Sequence, residues 1–420
     1  MAKYGKPARE RGLVAAVDIG GSKVACVIAQ LTPVHTGEFE ADVIGVGQHG
    51  SVGKDSRANI DAALRAAVEA AERMAGERIR RVNVAAGGRS LGCRKLSVDL
   101  DIAGGVITGD DVAECLAQGA TSAAPEGSRA LHALKIRYAV DGEIAEDPVG
   151  LAGAVLNAEV LGVFVKESYA ENVEALLGRC GLELDEIVAA PAAAGESALI
   201  EDERELGVIL IDIGARSTDY ALYERGALIA CGGVALGGDH VTRDIAQIFG
   251  APLAKAERIK TLYGSTLSSA GDEHRLIDFP QLGDESENQR HSRAELTQVI
   301  APRFEEILEL ALADLPQSGS ARRAIRRAVL TGGGSLLIGA RETAERILGV
   351  KTRLGRPAAL SGAPDTATAP QFAVAVGVLQ IAARERSAAK RAARRSPLAA
   401  GGALGKGVIG NVSAWLRANF

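Results

Sequence analysis

Two short stretches bring a carboxylate, glycines and hydroxyls together in the order that a phosphate site needs: DIGGSK, from Asp18 to Lys23, and DIGARST, from Asp212 to Thr218. Each follows an apolar run that reads as a strand. Gly20 and Gly21 allow close backbone approach, so successive N–H groups can point at phosphate oxygens. The Ser22 hydroxyl adds a donor, and Asp18 can hold the hydration shell of a Mg²⁺ ion, which prefers few carboxylates and several waters. Asp212, Gly214, Ala215, Ser217 and Thr218 offer the same kinds of group a second time. Either stretch alone reads equally well as an ordinary turn, since Asp and Gly dominate turns. Together, almost half the chain apart, they point to two related halves facing each other across a cleft.

Two further glycine sites join them. GGDHVTRDIA opens a helix with Gly237 and Gly238 and carries Thr242 and Asp244 in its first turns. LTGGGS ends a strand with Gly333 and Gly334 and places Ser335 to cap the next helix. Glycines leave room for a flat ring to lie against the backbone. Neither stretch fits GxxxxGK[ST], nor GxGxxG after a strand. Glu257 and Lys260 stand one helical turn apart, a spacing that an ordinary exposed ion pair also takes.

The elements that must position these residues alternate between strands and helices, which indicates an α/β fold. LVAAVDIG and KVACVIA read as strands, Ile60 to Ala75 as a helix, and RRVNVAAGG as another strand. From about Arg89 to Lys166 short strands surround one helix near Asp110 to Ala124, the texture of a small α+β insertion. A helix follows over Glu171 to Gly181, and GVILIDIGARSTDYALY then repeats the opening pattern. Helices are expected over His240 to Phe249, Pro252 to Leu262 and Leu296 to Leu315, with a polar region from Gly264 to Arg293. AVLTGGGS leads into a helix over Leu336 to Leu348, and the last apolar helix covers Gln371 to Ala383.

Composition narrows the function classes. The chain has 420 residues, a net charge of −5 and only 3% aromatic residues. That charge argues against general nucleic-acid binding. The five cysteines form no CxxC pair, and the six histidines show no metal-ligand spacing. No stretch reads as a signal peptide or as an apolar run of about 18 residues.

The order and content of these segments resemble the actin-like ATPase superfamily, and more specifically the bacterial cell-division FtsA family. DIGGSKV is similar to that family's first phosphate loop, IDIGARSTD to its second, GGDHVTRDIA and AERIKTLYG to its connecting helices, and VLTGGGSLL to its adenosine loop. DPVGL (Asp147 to Leu151) in the insertion and WLRANF at the end resemble FtsA rather than other actin-like proteins. The resemblance implies an actin-like two-lobed fold with duplicated phosphate-loop halves and an inserted small α+β subdomain. It implies a first lobe over 12–88, 168–204 and 364–383, the insertion at 89–167, and a second lobe over 205–363 with its peptide-binding part at about 264–325. Asp18 and Asp212 would then position Mg²⁺, through water. Gly20, Gly21, Ser22, Lys23, Gly214, Ala215, Ser217, Thr218, Gly237 and Gly238 would surround the phosphates of ATP. Glu257 and Lys260 would reach the ribose and adenine, with Gly333, Gly334 and Ser335 beneath the base.

The resemblance further implies a division adaptor on the cytoplasmic face of the inner membrane at the division site. It would self-associate, bind the C-terminal peptide of FtsZ, recruit later division proteins through the insertion, and contact lipid. Arg290, Arg293 and Arg303 are candidates to face acidic residues of that peptide. One departure bears on chemistry. Where hydrolytic relatives carry an acid or amide that orients water, this chain has Ala190 before Pro191, and Glu196 is out of register. Slow or negligible hydrolysis is therefore expected, and no catalytic residue is assigned. A pilus-assembly scaffold of similar fold and a sugar or acetate kinase are the rival readings. The tail and DPVGL argue against the first, and the lack of a catalytic Asp or Arg constellation argues against the second.

Residues 384–404 read as a basic flexible linker, with Arg384, Arg386, Lys390, Arg391, Arg394 and Arg395 against Glu385. At about 100° per residue, Val408, Ile409, Val412, Trp415, Leu416 and Phe420 share an arc of roughly 140° within residues 405–420. Such a segment suits a helix lying in a membrane interface. Six partly buried apolar side chains, less the cost of ordering, leave about 4–8 kcal/mol, a millimolar to micromolar anchor. A filament of many such tails would be avid.

Overall fold

The computed structural model describes residues 12–33, 39–51, 56–102, 104–283, 288–316 and 319–395. Its opening strand, β1 (Leu13–Ile19), is apolar throughout because both of its faces are covered: Leu13, Ala15 and Val17 pack into one core, Val14 and Ala16 into another. The chain turns back antiparallel through β2 (Lys23–Pro33) and β3 (Phe39–Gly50), crosses by α1 (Ser56–Ala75), and sets β4 (Arg81–Ala86) parallel beside β1. Gly45 and Gly47 weaken the strand signal of β3. They are needed where it meets α1, since a Cβ there would stand 2.2 Å from the Ala71 carbonyl oxygen and 2.0 Å from that of Ala67.

The insertion follows as β5 (Leu91–Asp101), α2 (Gly109–Ala123), β6 (Ser128–Val140), β7 (Glu143–Ala145) and β8 (Val155–Lys166). Its antiparallel sheet, ordered β5-β8-β6-β7, buries Leu156 and Tyr138 against Leu116 of α2. A capping box of Thr108 and Asp111 starts α2. The chain returns through α3 (Glu167–Arg179) to β9 (Glu183–Ala189), which completes a first sheet ordered β3-β2-β1-β4-β9. Two short helices, α4 (Ala190–Ala198) and α5 (Glu201–Leu206), then lead to the second lobe.

That lobe repeats the plan: an antiparallel run of β10 (Val208–Ile213), β11 (Thr218–Glu224) and β12 (Ala227–Val234). Next come α6 (Gly238–Ile248), α7 (Leu253–Tyr263), a hairpin of β13 (Leu276–Pro280) and β14 (Asn288–Ser292), α8 (Arg293–Ala313) and α9 (Gly319–Ala324). Then β15 (Arg327–Thr331), α10 (Ala340–Leu348) and β16 (Thr352–Leu354) follow, and the sheet is ordered β12-β11-β10-β15-β16. The final helix is α11 (Ala373–Arg395). With α4, it contributes to a core drawn from both sheets, which holds Val14 and Ala16 of the first and Val208 and Leu210 of the second. The two helices cross so closely that a Cβ on Gly377 would lie 1.7 Å from the Ala193 carbonyl oxygen.

Three details depart from the sequence reading. The polar region after Gly264 contains the β13–β14 hairpin, where Phe279 is buried against Phe249 at 4.4 Å between ring centroids. The helix read from Leu336 is a 3₁₀ turn over Gly333–Leu336 followed by α10 from Ala340. The stretch read as coil from Arg384 is helical through Arg395. Arg384 pairs with Glu196 at 2.8 Å, and Arg386 bonds Asp185 and the Leu13 carbonyl, so the early basic residues fasten α11 to the body. The rest of the linker reading, and the tail with Val408, Ile409, Val412, Trp415, Leu416 and Phe420, lie outside the described residues.

Candidate functional site

Both Asp-containing hairpins close the same way. Gly20 N–H donates to the Lys23 carbonyl at 2.9 Å, and Gly214 N–H donates to the Ser217 carbonyl at 2.9 Å. Flanking pairs Ile19–Val24 and Ile213–Thr218 fix the register, so each turn holds four residues. Lys23 therefore matches Ser217, and Ser22 matches Arg216; the hydroxyls are not equivalent. The two turns touch, since a Cβ on Gly21 would meet Arg216 Cγ at 2.6 Å.

Between them stand four titratable groups. Asp18 is pushed up to about 6 by burial, with Lys23 pulling the other way. Burial pushes Asp212 up to about 8, helped by repulsion from Asp219 and Asp18. Asp219 is pushed up to about 6 by burial, opposed by the Gly88 N–H that it accepts at 2.5 Å. Lys23 is lowered to about 8 by burial, against the attraction of Asp18 and Asp212. Its Nζ has no hydrogen-bond partner among the described residues and lies 4.1 Å from the centre of the Phe372 ring.

Asp219 and Phe372 went unassigned in the sequence. Asp219 could have been found: it follows Ser-Thr directly and pairs in register with Asp212. It packs against two glycines, for a Cβ would lie 2.7 Å from Oδ2 at Gly87 and 2.3 Å from Oδ1 at Gly233. Ala190 lines the same spot, 3.1 Å from the Gly87 Cβ position.

The supporting residues divide into those left free and those already paired. Ser22 is exposed and Gly333 faces open space, while half-buried Ser217 hydrogen-bonds the Asp219 carboxyl. Buried Ser51 braces the first turn: its N–H donates to the Ser22 carbonyl at 2.8 Å, and its hydroxyl lies 3.2 Å from the Gly21 carbonyl. The Thr218 hydroxyl is spent on the Leu236 carbonyl at 2.8 Å. Gly238 and Asp239 N–H groups bond the carbonyls of Gly214 at 2.9 Å and Ala215 at 2.8 Å, so Gly237–Gly238 fixes the second turn. Gly334 is needed for packing, since a Cβ would come 2.3 Å from Ile213 Cγ2. Ser335 does not cap α10, because its buried hydroxyl donates to the Gly332 carbonyl at 2.7 Å.

Lys260 is more than half of an exposed pair. It is buried, and its Nζ reaches the Gly238 carbonyl at 2.9 Å, Thr242 Oγ1 at 2.8 Å and Glu257 at 2.7 Å, joining α7 to the start of α6. Glu257 also accepts from the Thr242 hydroxyl.

The candidate arginines and Glu196 have partners of their own. Arg293 is committed to buried Asp272 at 2.8 Å, and Arg303 to Asp244 at 2.6 Å and to Glu306, which leaves the exposed Arg290, paired with Asp278 at 3.0 Å, as the most accessible of the three. Glu196 is held by Arg204 at 3.4 Å and Arg384 at 2.8 Å, away from the charged cluster.

Comparison with known proteins matches residues 209–377 to the model of the cell division protein FtsA, and residues 88–164 to the SHS2 domain inserted in FtsA. The cell division protein FtsA of Agrobacterium fabrum is 35% identical over 427 aligned positions, covering 97% of this chain and 95% of that one. The Escherichia coli protein of the same name is 30% identical, covering 98% and 99%. Among solved structures, a PilM–PilN type IV pilus biogenesis complex aligns with a TM-score of 0.59 at 19% identity over 88% of this chain and 98% of that one. MreB5 of Spiroplasma citri bound to ADP aligns with a TM-score of 0.53 at 15% identity over 91% and 99%. These structural likenesses establish an actin-like two-lobed fold.

Proposed function

Because the chain belongs to the FtsA family of cell division proteins, we propose that it is an ATP-binding adaptor that tethers FtsZ filaments to the cytoplasmic membrane. One observation carries the nucleotide reading: an ammonium without a hydrogen-bond partner beside three carboxyl groups whose ionisation burial opposes. A polyphosphate with a divalent cation answers both needs. Among the described residues, no group of three or more His, Cys, Asp or Glu could hold a metal directly. Asp18 and Asp212 would accordingly hold Mg²⁺ through its waters, and the ion would supply positive charge to both carboxylates and phosphates. Lys23 and exposed Ser22 would bind phosphate oxygens, and Ser217, which hydrogen-bonds Asp219, would stand beside them. The open backbone at Gly333 would lie beneath the base, and Glu257 would be the nearest acid for the ribose.

Hydrolysis would be slow. Ala190 offers no group to orient water, and Glu196 is engaged elsewhere. ATP then serves as a clamp between lobes. In this reading the tail is the membrane anchor, the second lobe around the β13–β14 hairpin and α8 receives the FtsZ peptide, and the insertion serves self-association and later division proteins. Exposed Val106, Ile144, Val149 and Leu151 give the insertion an apolar surface suited to a protein contact. No described helix is long and apolar enough to cross a membrane.

Co-sedimentation with anionic liposomes and FtsZ, with and without ATP, tests the proposal. The full chain should carry FtsZ to the lipid pellet, and a chain ending at Ala403 should leave both in solution. Lipid binding by the truncated chain would overturn the tail assignment.

A further inference from the structure

The second lobe ends its sheet on β12, and the insertion ends its sheet on β5. These two free edges meet without forming a ladder. An unpaired strand edge leaves N–H and C=O groups in need of partners. At Cys231 of β12 both groups are met by one side chain, Cys93 of β5. Cys93 Sγ lies 3.0 Å from the Cys231 carbonyl oxygen and 3.5 Å from its backbone nitrogen, which donates to the sulfur.

We propose that Cys93 and Cys231 form a site for two-electron oxidation by peroxide, giving a disulfide that staples the insertion to the second lobe. Cys93 Sγ rests on the Cys231 backbone and accepts a hydrogen bond from the Cys231 thiol, so the two sulfurs are neighbours. The thiols also have unequal roles. Cys93 is half-buried and held below the usual thiol range by a hydrogen bond from the Cys231 thiol and by the Cys231 N–H. Cys231 is buried and raised because it donates its proton to Cys93 and because burial disfavours its thiolate. Cys93 is therefore the attacking sulfur. Its thiolate takes one peroxide oxygen as OH to become a sulfenic acid, and the other oxygen leaves as hydroxide, which takes up the proton that the Cys93 thiol released and becomes water. The Cys231 sulfur then attacks the Cys93 sulfur, and its proton departs with the displaced hydroxyl as a second water. Two thiols and one hydrogen peroxide thus give one disulfide and two waters. The remaining thiols are internal controls: burial pushes Cys26 up to about 12 and Cys115 up to about 11, and raises Cys180.

The consequence is mechanical. β5 follows the Gly87–Gly88 junction where Asp219 accepts the Gly88 N–H, so the staple would lock the connection between the insertion and the site. This step does not depend on the nucleotide reading.

The test uses the reduced full chain, treated with stoichiometric hydrogen peroxide, blocked with N-ethylmaleimide and digested with trypsin without reductant. The expected product joins Ser90–Arg94 to Gly226–Arg243, two hydrogens lighter than the separate peptides. Most of the chain should be linked while Cys26, Cys115 and Cys180 stay alkylated. Cys231→Ser should leave Cys93 as a sulfenic acid that dimedone captures, and Cys93→Ser should leave Cys231 unoxidised. Recovery of both peptides singly alkylated, or earlier oxidation of the other cysteines, would overturn the proposal. The unsubstituted chain decides the matter even if a variant fails to fold.

Discussion

The two Asp-containing hairpins share one backbone plan and present different side chains. Each is a four-residue turn closed by a glycine N–H, and each follows an Asp at the end of an apolar strand. The first presents Lys23, and the second presents Ser217 at the equivalent place and Asp219 two residues later. Their bracing differs as well. Ser51 holds the first from outside with hydrogen bonds. The second is wedged by Gly332, whose φ is +78° and where a Cβ would stand 2.1 Å from Asp212 Oδ1. A duplicated scaffold fixes the geometry, and divergence of two or three side chains turns two similar loops into a charged clamp.

Breaking the bracing should have the largest effect. Gly332→Ala adds both left-handed strain and a collision, and should cost about 3 kcal/mol or more. Gly333→Ala, facing open space, should stay within about 0.5 kcal/mol of the unsubstituted chain. Ser51→Ala should fall between, at about 1–2 kcal/mol, through the buried hydrogen bond that it removes. Denaturant midpoints at constant slope check all three, and equal costs for Gly332→Ala and Gly333→Ala would remove the wedge from the comparison.

Exchange of charge sharpens it further. Lys23→Met should weaken Mg·ATP binding about 100-fold, the loss of a charge-assisted contact. Ser217→Ala, at the matching place, should weaken it only about fivefold. Fluorescent-nucleotide titration distinguishes them, and similar losses would mean that the hairpins are not specialised.

Asp212→Asn should separate stability from function. In the folded state Asp212 titrates at about 8 rather than 3.8, so its contribution to stability is full below pH 3.8 and is lost as pH rises toward 8. The nucleotide-free variant should therefore melt above the unsubstituted chain at pH 8 and alongside it near pH 4, while Mg²⁺-dependent ATP binding is lost. Melting curves at the two pH values check the sign.

Much of this was legible in the sequence. Asp-Ile-Gly between apolar strands appears twice, and the strand order of the two lobes follows that duplication. The actin-like resemblance rested on the two phosphate loops and the adenosine loop, and the FtsA resemblance on DPVGL in the insertion and WLRANF at the end. What the sequence hid were pairings. Thr218, Gly238 and Arg303 look free in a linear chain, and each has a partner 18 or more residues away or on another element. β3 was hidden because Gly45 and Gly47 serve contact with α1 rather than strand propensity. The basic run after Ala383 looked like a tether by composition, yet Arg384 and Arg386 find carboxylates on the body, so the helix continues. Asp219 was overlooked because its role depends on Gly88, far off in the chain.

The central claim is that the charged cleft clamps Mg·ATP. Isothermal titration calorimetry at pH 7, in buffers of different ionisation enthalpy, tests it directly. In the free protein Asp212, near 8, is mostly protonated, and Lys23, also near 8, already carries its proton. A cation beside Asp212 expels its proton, while Lys23 has little left to gain. Binding should therefore release about one proton per ATP. Absence of binding by the folded protein at millimolar ATP, or net proton uptake, would contradict the account.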